Sequence, residues 1–387
     1  MKVLLAHNRY VTRGGEDAVF DQERDLLREH GHDVLEFLRD NRELGQRRLG
    51  QVADAIWSRD SARVAGALLD EHRPDVIHVH NTWPQLTPSI YYAAARRGVP
   101  VVQTLHNYRL LCANAMLLRN GTVCEDCVGK RLGWPAIQHR CYRDDRAASA
   151  VMVASTGVHR GLGTWRHRVS RYIALSEFSR EKLLSAGLPA DKVAIKPNFA
   201  SDRHGGADLD GPRSGALFVG RLSVEKGVDV LLEAWRGLAT PLRLVGPGEF
   251  TPEQRNGLSP AVERLGFVDD PTLMASMRQA SFMVVPSLVY EGFPMVVAES
   301  YAAGLPIIAS RLGALGELVE DGSTGLHFTA GDASDLAAKV RWAAAHPEAM
   351  RAMGRKARQR YEDRYAPEAN YRRLMEIYAG ALDPSHR

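Results

Sequence analysis

The sequence predicts an α/β protein made of two doubly wound parallel sheets, one in each half of the chain and facing each other. Three observations carry that expectation. From Lys2 onward, short β-branched runs alternate with longer amphipathic stretches, the rhythm of repeated βα units. The rhythm lapses across residues 197–213, a stretch of Pro, Asn, Gly and Asp without periodicity, and restarts at Gly215, which marks a domain boundary. A chain of 387 residues also exceeds what one core usually fills and divides naturally into two domains of roughly 150–200 residues.

Each element has its own warrant. Residues 2–6 read as a strand, 7–15 as a loop and 16–30 as a helix, with Glu16 and Asp17 suiting the dipole of its first turn and Gly31 its C-terminal cap. Strands follow at 33–38, 75–80 and 101–105, separated by helices at 51–72 and 88–97. A strand at 171–175 precedes a helix at 177–186. The second half reads as strands at 215–219, 242–245, 282–286 and 306–309, with helices at 227–236 and 294–303. Two further helices occupy roughly 334–345 and 347–361, and a last one 367–382. The expected domains are 1–200, with a cysteine-bearing insertion at 108–145, then 205–365, then a terminal helix in 366–387.

Composition removes several function classes. The formal charge of +4 comes from 50 basic and 46 acidic residues, too balanced for a protein that coats nucleic acid. No run approaches the ~18 apolar residues of a membrane-spanning helix, because the quiet stretch near residues 147–158 is broken by Ser149, Ser155 and Thr156. The apolar Val3-Leu4-Leu5-Ala6 is followed at once by His7, Asn8 and Arg9, which is not a secretory signal. A cytoplasmic protein is therefore expected, with contact at the inner face of the membrane left open.

In doubly wound sheets ligands gather at the carboxyl ends of strands. Four such places carry suggestive residues. After residues 282–286, Glu291 sits just ahead of a helix opened by Gly292 and Pro294, and Glu299 lies eight positions on, about 12 Å of rise if all of it were helical. Two carboxylates so spaced suit hydroxyls on either side of a diphosphate held by the helix N-terminus, whereas either alone reads as a solvated Glu. After the strand at 215–219, Arg221 and Lys226 bracket a short loop; a guanidinium fork and a compact ammonium together suit a diphosphate. Only eight of the 50 basic residues are Lys, which makes Lys226 less incidental. Near strand one, Gly14 and Gly15 precede a helix and let backbone approach a phosphate, although a plain tight turn explains them equally. Finally His106 ends the strand at 101–105, placed to hydrogen-bond a hydroxyl or to move a proton, with His78, His80 and Trp83 at the neighbouring strand end.

Together these segments resemble the retaining glycosyltransferases of family 4. The resemblance runs over nearly the whole chain and is most specific in Val219-Gly-Arg-Leu-Ser-Val-Glu-Lys-Gly and in Pro286-Ser-Leu-Val-Tyr-Glu-Gly-Phe-Pro-Met-Val-Val-Ala-Glu. Residues Gly304-Leu-Pro-Ile-Ile-Ala-Ser, Glu317 and Asp321-Gly-Ser-Thr-Gly-Leu fit as well. It implies two Rossmann-like domains facing across a cleft, the GT-B fold, with the acceptor on the N-terminal side and a nucleotide-sugar donor on the C-terminal side. By that resemblance Arg221 and Lys226 hold the donor diphosphate as leaving group, Glu291 binds the transferred sugar and Glu299 the ribose. Gly292, Phe293, Pro294, Met295 and Val296 line the donor site, Gly14 and Gly15 close over the phosphates, and His106 contacts the sugar near the reacting carbon. It also implies catalysis without a metal, a last helix that crosses back to the N-terminal domain, and a hinge near residues 197–213.

All four cysteines fall within thirty residues, as Cys112, Cys124, Cys127 and Cys141. Four soft ligands suit a structural, tetrahedral zinc, while the alternative is a set of reduced thiols packed in a loop. Arg140, Arg143, Arg166, Arg168 and Arg171 either face anionic lipid or a polyprenyl diphosphate or are plain solvated surface. The expected activity is transfer of a sugar to a glycan or lipid-linked acceptor in surface polysaccharide or glycolipid assembly. The alternatives are a sugar-nucleotide epimerase or a phosphorylase on the same fold, or a non-catalytic module that binds a partner through the cysteine loop.

Overall fold

A computed structural model describes residues 1–42, 51–202 and 211–383. Part of the expected boundary stretch, residues 203–210, lies outside the described residues. The chain forms two compact units. One comprises Met1–Leu117, Glu125–Pro197 and Asn370–Arg387; the other comprises Leu118–Cys124 and Asn198–Ala369.

In chain order the strands are β1 (Lys2–Arg9), β2 (Asp33–Asp40), β3 (Val76–Asn81), β4 (Val101–Thr104), β5 (Leu118–Arg119), β6 (Thr122–Val123), β7 (Arg171–Ala174) and β8 (Val193–Ile195). They continue as β9 (Ala216–Val219), β10 (Leu242–Val245), β11 (Val262–Gly266), β12 (Phe282–Val285), β13 (Ile307–Ser310) and β14 (Gly325–Phe328). The first unit holds a six-stranded sheet in the order β2-β1-β3-β4-β7-β8, and the second a six-stranded sheet in the order β11-β10-β9-β12-β13-β14. Every pairing in both is parallel, and among the described residues only the β5–β6 hairpin is antiparallel.

Burial of both faces explains why these strands read as apolar runs. In β1, Val3 and Leu5 point to one side, where they pack with Phe20 and Leu27 of helix Gly15–Glu29 and with Leu374, Ile377 and Tyr378 of the last helix, Pro367–Leu382. Leu4 and Ala6 point to the other, against Ala65 and Leu69 of helix Arg59–His72 and Ile90 and Tyr91 of helix Ser89–Ala95. In the second unit, Trp235 of helix Val228–Trp235 is fully buried beside Phe218, Leu244 and Val284, with Val340 of helix Ala333–Ala345 in the same core.

The structure corrects several boundaries. β1 runs on to Arg9 instead of ending at Ala6, because the polar His7 and Asn8 find partners while buried: His7 Nε2 with Asp17 Oδ1 at 2.9 Å, and Asn8 Nδ2 donating to Asn41 Oδ1 at 2.6 Å. The helix expected over 51–72 is two, Gln51–Ile56 and Arg59–His72, divided at Ser58, whose side chain caps the second by accepting from the Ser61 amide. Strands β8, β11 and β14 and helices Arg146–Gly161 and Asp270–Gln279 were not anticipated.

Candidate functional site

A doubly wound sheet reverses its winding at one point, and ligands collect at the carboxyl ends of the strands there. In the second unit the reversal lies between β9 and β12. The loop after β9 carries Arg221 and Lys226, and the loop after β12 carries Ser287 and Glu291. Gly227 lets the loops touch: its φ is +70°, and a Cβ there would lie 1.9 Å from the Pro286 carbonyl oxygen. The Leu288 amide then donates to the Glu225 carbonyl at 2.9 Å.

With the loops in contact, Lys226 Nζ donates to Glu291 Oε1 at 2.7 Å and Ser287 Oγ donates to the same oxygen at 2.8 Å. Burial of Glu291 opposes its ionisation, but the Lys226 ammonium, these two hydrogen bonds and the Arg221 charge outweigh it and hold the carboxyl below its ordinary range. Arg221 is 64% exposed and has Glu225 at 3.3 Å. Phe293 is buried against Tyr365, and its carbonyl accepts from Asn198 Nδ2 at 3.1 Å, which fixes the backbone leading through Pro294 into helix Met295–Ala302. Met295 and Val296 form its first turn and Glu299 stands half-buried in its second. Residues 291–294, Gly292 included, are not helical, so the Glu291-to-Glu299 spacing is not a helical rise throughout. The structure thus brings Arg221, Lys226 and Glu291 together, and Ser287 joins them unforeseen.

In the first unit the reversal lies between β1 and β3. Gly14 and Gly15 are exposed at the start of helix Gly15–Glu29, where the Gly14 amide donates to Asp17 Oδ2 at 3.0 Å and a Cβ on Gly14 would meet nothing within 4 Å. His106 follows β4 and lines a pocket with Glu16, Trp83, Asn107 and Arg109. Tyr10 donates to Glu16 Oε2 at 2.8 Å and Asn107 Nδ2 does so at 3.3 Å, while burial pushes the Glu16 pKa up. His106 is kept neutral by lost hydration and by neighbouring His80 and His7, which push its pKa well down. Behind it lie two residues that no sequence motif pointed to, Glu23 and Lys196, hydrogen-bonded at 2.7 Å. Glu23 had one signal: it interrupts the apolar stripe of Val19, Phe20, Leu26 and Leu27.

Among the described residues, one group of three or more His, Cys, Asp or Glu brings its ligand atoms within 4.8 Å of one another: Glu23, His78 and His80. The Lys196 ammonium already occupies its carboxylate. Of the four cysteines, Cys127 and Cys141 pack against a small apolar cluster of Ala113, Ala136, Met152 and Val153, and Cys112 Sγ donates to Asn114 Oδ1 at 2.9 Å. Cys124 belongs to the segment that groups with the second unit.

The profile of Glycosyltransferase Family 4 matches residues 10–202, and that of Glycosyl transferases group 1 matches residues 213–346. A D-inositol 3-phosphate glycosyltransferase of Thermomonospora curvata is 30% identical over 349 residues, covering 82% of this chain and 74% of that one. The chain belongs to glycosyltransferase family 4. A phosphatidyl-myo-inositol mannosyltransferase of Mycobacterium leprae is 36% identical over 188 residues, 46% of this glycosyltransferase and 50% of the relative, so the match spans about half of each. The crystal structure of Anabaena Alr3699/HepE with UDP has 21% identity and a TM-score of 0.68 over 98% of this chain and 100% of that one, a likeness of fold. The two parallel six-stranded sheets of this glycosyltransferase are those of the GT-B class.

Proposed function

We propose that this glycosyltransferase moves a sugar from a nucleotide-sugar to a glycan or lipid-linked acceptor, with retention at the anomeric carbon, in the assembly of surface polysaccharide or glycolipid. The observation that carries the reading is the Lys226–Glu291 hydrogen bond at the β9/β12 reversal, with Arg221 beside it. As the bond from sugar to diphosphate breaks, negative charge grows on the departing phosphate. Fixed cations aimed at it stabilise the transition state without reorganising, and in enzymes such stabilisation is usually worth more than any other single effect. Lys226 and Arg221 supply those cations, so the reading needs no divalent metal at the diphosphate. The ionised Glu291 accepts hydrogen bonds from hydroxyls of the transferred sugar, and Glu299 from the ribose. Backbone N–H groups at the start of helix Met295–Ala302 suit a phosphate. The departing phosphate helps to deprotonate the acceptor on the same face, and His106 offers a ring nitrogen to a hydroxyl in the pocket of the first unit. That HepE was solved with UDP and with UDP-glucose supports a nucleoside diphosphate sugar as donor.

Among the described residues no three of the thiols of Cys112, Cys124, Cys127 and Cys141 come within 4.8 Å of one another, so a structural zinc there rests on their chemistry as four soft ligands and not on their placement; it would take no part in the reaction, because four thiolates leave no open coordination position. Among the described residues no helix is long and apolar enough to cross a membrane, and a lipid-linked acceptor would be met at the membrane surface. The reading is tested by incubating the protein with a panel of nucleotide-sugars and acceptors and measuring nucleoside diphosphate release. Lys226→Ala and Glu291→Ala should each lower turnover by at least ~10²-fold. Near-normal turnover in either removes that residue from the mechanism, and no release from any donor removes the transferase reading of the site.

A further inference from the structure

Glu23 sits on the inward face of helix Gly15–Glu29 and is fully buried. A lone carboxylate there would be heavily penalised by the loss of its hydration. Lys196, also buried, donates to Glu23 Oε2 at 2.7 Å and to Asn370 Oδ1 at 3.0 Å. The other oxygen, Oε1, faces two imidazoles: His78 Nδ1 at 2.9 Å and His80 Nε2 at 3.2 Å. His80 Nδ1 in turn lies 3.0 Å from His106 Nε2, with the two rings nearly parallel. Glu23, His80 and His106 therefore form a chain that starts at a buried ion pair and ends on the pocket lined by Glu16, Trp83, Asn107 and Arg109.

The chain has a direction. Lys196 outweighs the cost of burial and keeps Glu23 ionised, so its carboxylate only accepts. The 3.2 Å approach of His80 Nε2 is off-axis, and among the described residues neither that nitrogen nor Glu23 Oε1 has another aligned hydrogen bond. Two buried polar atoms facing each other in this way pair by a small ring rotation, since leaving each unmet is costly. The proton of neutral His80 then rests on Nε2, and its Nδ1 is an acceptor. The group facing that acceptor is His106 Nε2, which must carry the proton of its own neutral ring.

We infer that Glu23 and His80 are positioning residues that fix His106 as its Nε2–H tautomer, so that Nδ1 offers an unprotonated lone pair to a hydroxyl in the pocket. The inference rests on the proposed function for the identity of that hydroxyl, and on the first unit alone for the tautomer. His106 is thereby an acceptor of a hydroxyl proton, not a donor to a ring or phosphate oxygen. Its partner assignments also make Glu23→Gln an inversion rather than a deletion. Facing the Lys196 ammonium, the new amide turns its oxygen to that donor and its NH₂ to His80 Nε2. His80 must then accept at Nε2 and carry its proton on Nδ1, which forces the His106 proton onto Nδ1.

The test is long-range ¹⁵N–¹H correlation of histidine-labelled full-length protein without ligand, with the His106 signals assigned by their loss in His106→Asn. The expected result is an Nε2–H ring in the wild type and an Nδ1–H ring in Glu23→Gln. Donor turnover should fall about 10-fold or more in that variant through kcat, with the donor KM little changed. If Glu23→Gln does not fold, His80→Phe decides: it removes the acceptor and should leave His106 as a mixture of both tautomers. An Nδ1–H ring in the wild type, or an unaltered Nε2–H ring in every folded variant, overturns the inference. A wild type with the expected tautomers that releases no nucleoside diphosphate from any donor overturns the proposed function instead and leaves the relay standing.

Discussion

Glu23 and His80 face each other yet answer to acid in different pH ranges. Burial and the neighbouring His78 and His7 depress the pKa of His80 from 6.5 to about 4, against a smaller opposing pull from Glu23. Between those values the unfolded chain holds a proton that the folded chain refuses, so stability rises with pH across the window and is lost on acidification from 6.5 towards 4. The loss is on the order of 3 kcal/mol for the one group. Glu23 behaves as a depressed carboxyl: its contribution is present above the ordinary carboxyl range and disappears only as pH falls through its lower folded value. His80→Phe should therefore flatten the dependence of unfolding free energy on pH by about one proton between about pH 4.5 and 6, as read from urea titrations at several pH values. A variant as acid-sensitive as the wild type in that window would show that His80 is not the group responsible. The sequence made His80 visible as a polar residue at a strand end. It could not reveal that Lys196 and Glu23, 173 positions apart, meet beneath it, because only the strand order brings them together.

Elements differ in how openly the sequence announces them. Interior strands such as β1, β9 and β12 are covered on both faces and stand out as apolar runs. Strands β8, β11 and β14 lie at sheet edges, and β11 carries exposed Glu263 and Arg264 in its middle, so nothing in its pattern separates it from a loop. The loops after β9 and β12 were legible for the opposite reason, since charged residues directly after an apolar run are conspicuous. What the sequence left open is why Arg221, Lys226 and Glu291 converge, and the answer is the turn at Gly227. Gly227→Ala must accept a left-handed φ of +70° and a Cβ 1.9 Å from a backbone oxygen, where neither loop can yield through a side-chain rotation. The expected loss is about 2 kcal/mol or more of unfolding free energy, read from denaturant titration. Turnover should fall as well, because the Lys226–Glu291 contact depends on that turn. A stable variant with intact turnover would show that the two loops keep their positions independently.

At the scale of the whole molecule, the order of the chain and its division into units diverge. The first unit is built mostly from residues before Pro197, yet it is completed by Asn370–Arg387. Leu374, Ile377, Tyr378 and Ala381 of the last helix lie in the same core as Val3, Leu5 and Ile173 of the sheet. Burying the three large side chains contributes about 1.5–3 kcal/mol each, together comparable to the ~5–15 kcal/mol that keeps a typical domain folded. The helix also supplies Asn370 to Lys196 and the Tyr378 hydroxyl to His78 Nδ1 at 2.8 Å, so its removal leaves polar groups unmet inside the core. The second unit draws no core residue from this helix among the described residues. A chain ending at Ala369 should accordingly lose the cooperative unfolding of the first unit, while the second keeps its sheet and the Lys226–Glu291 contact. Hydrogen exchange by peptide is the measurement: β1 and β3 should exchange as unfolded chain, and β9 and β12 should stay protected. Protection of β1 in the shortened chain would mean that the first sheet holds its core without the helix. Loss of protection in β9 would mean that the second unit depends on the first for its stability.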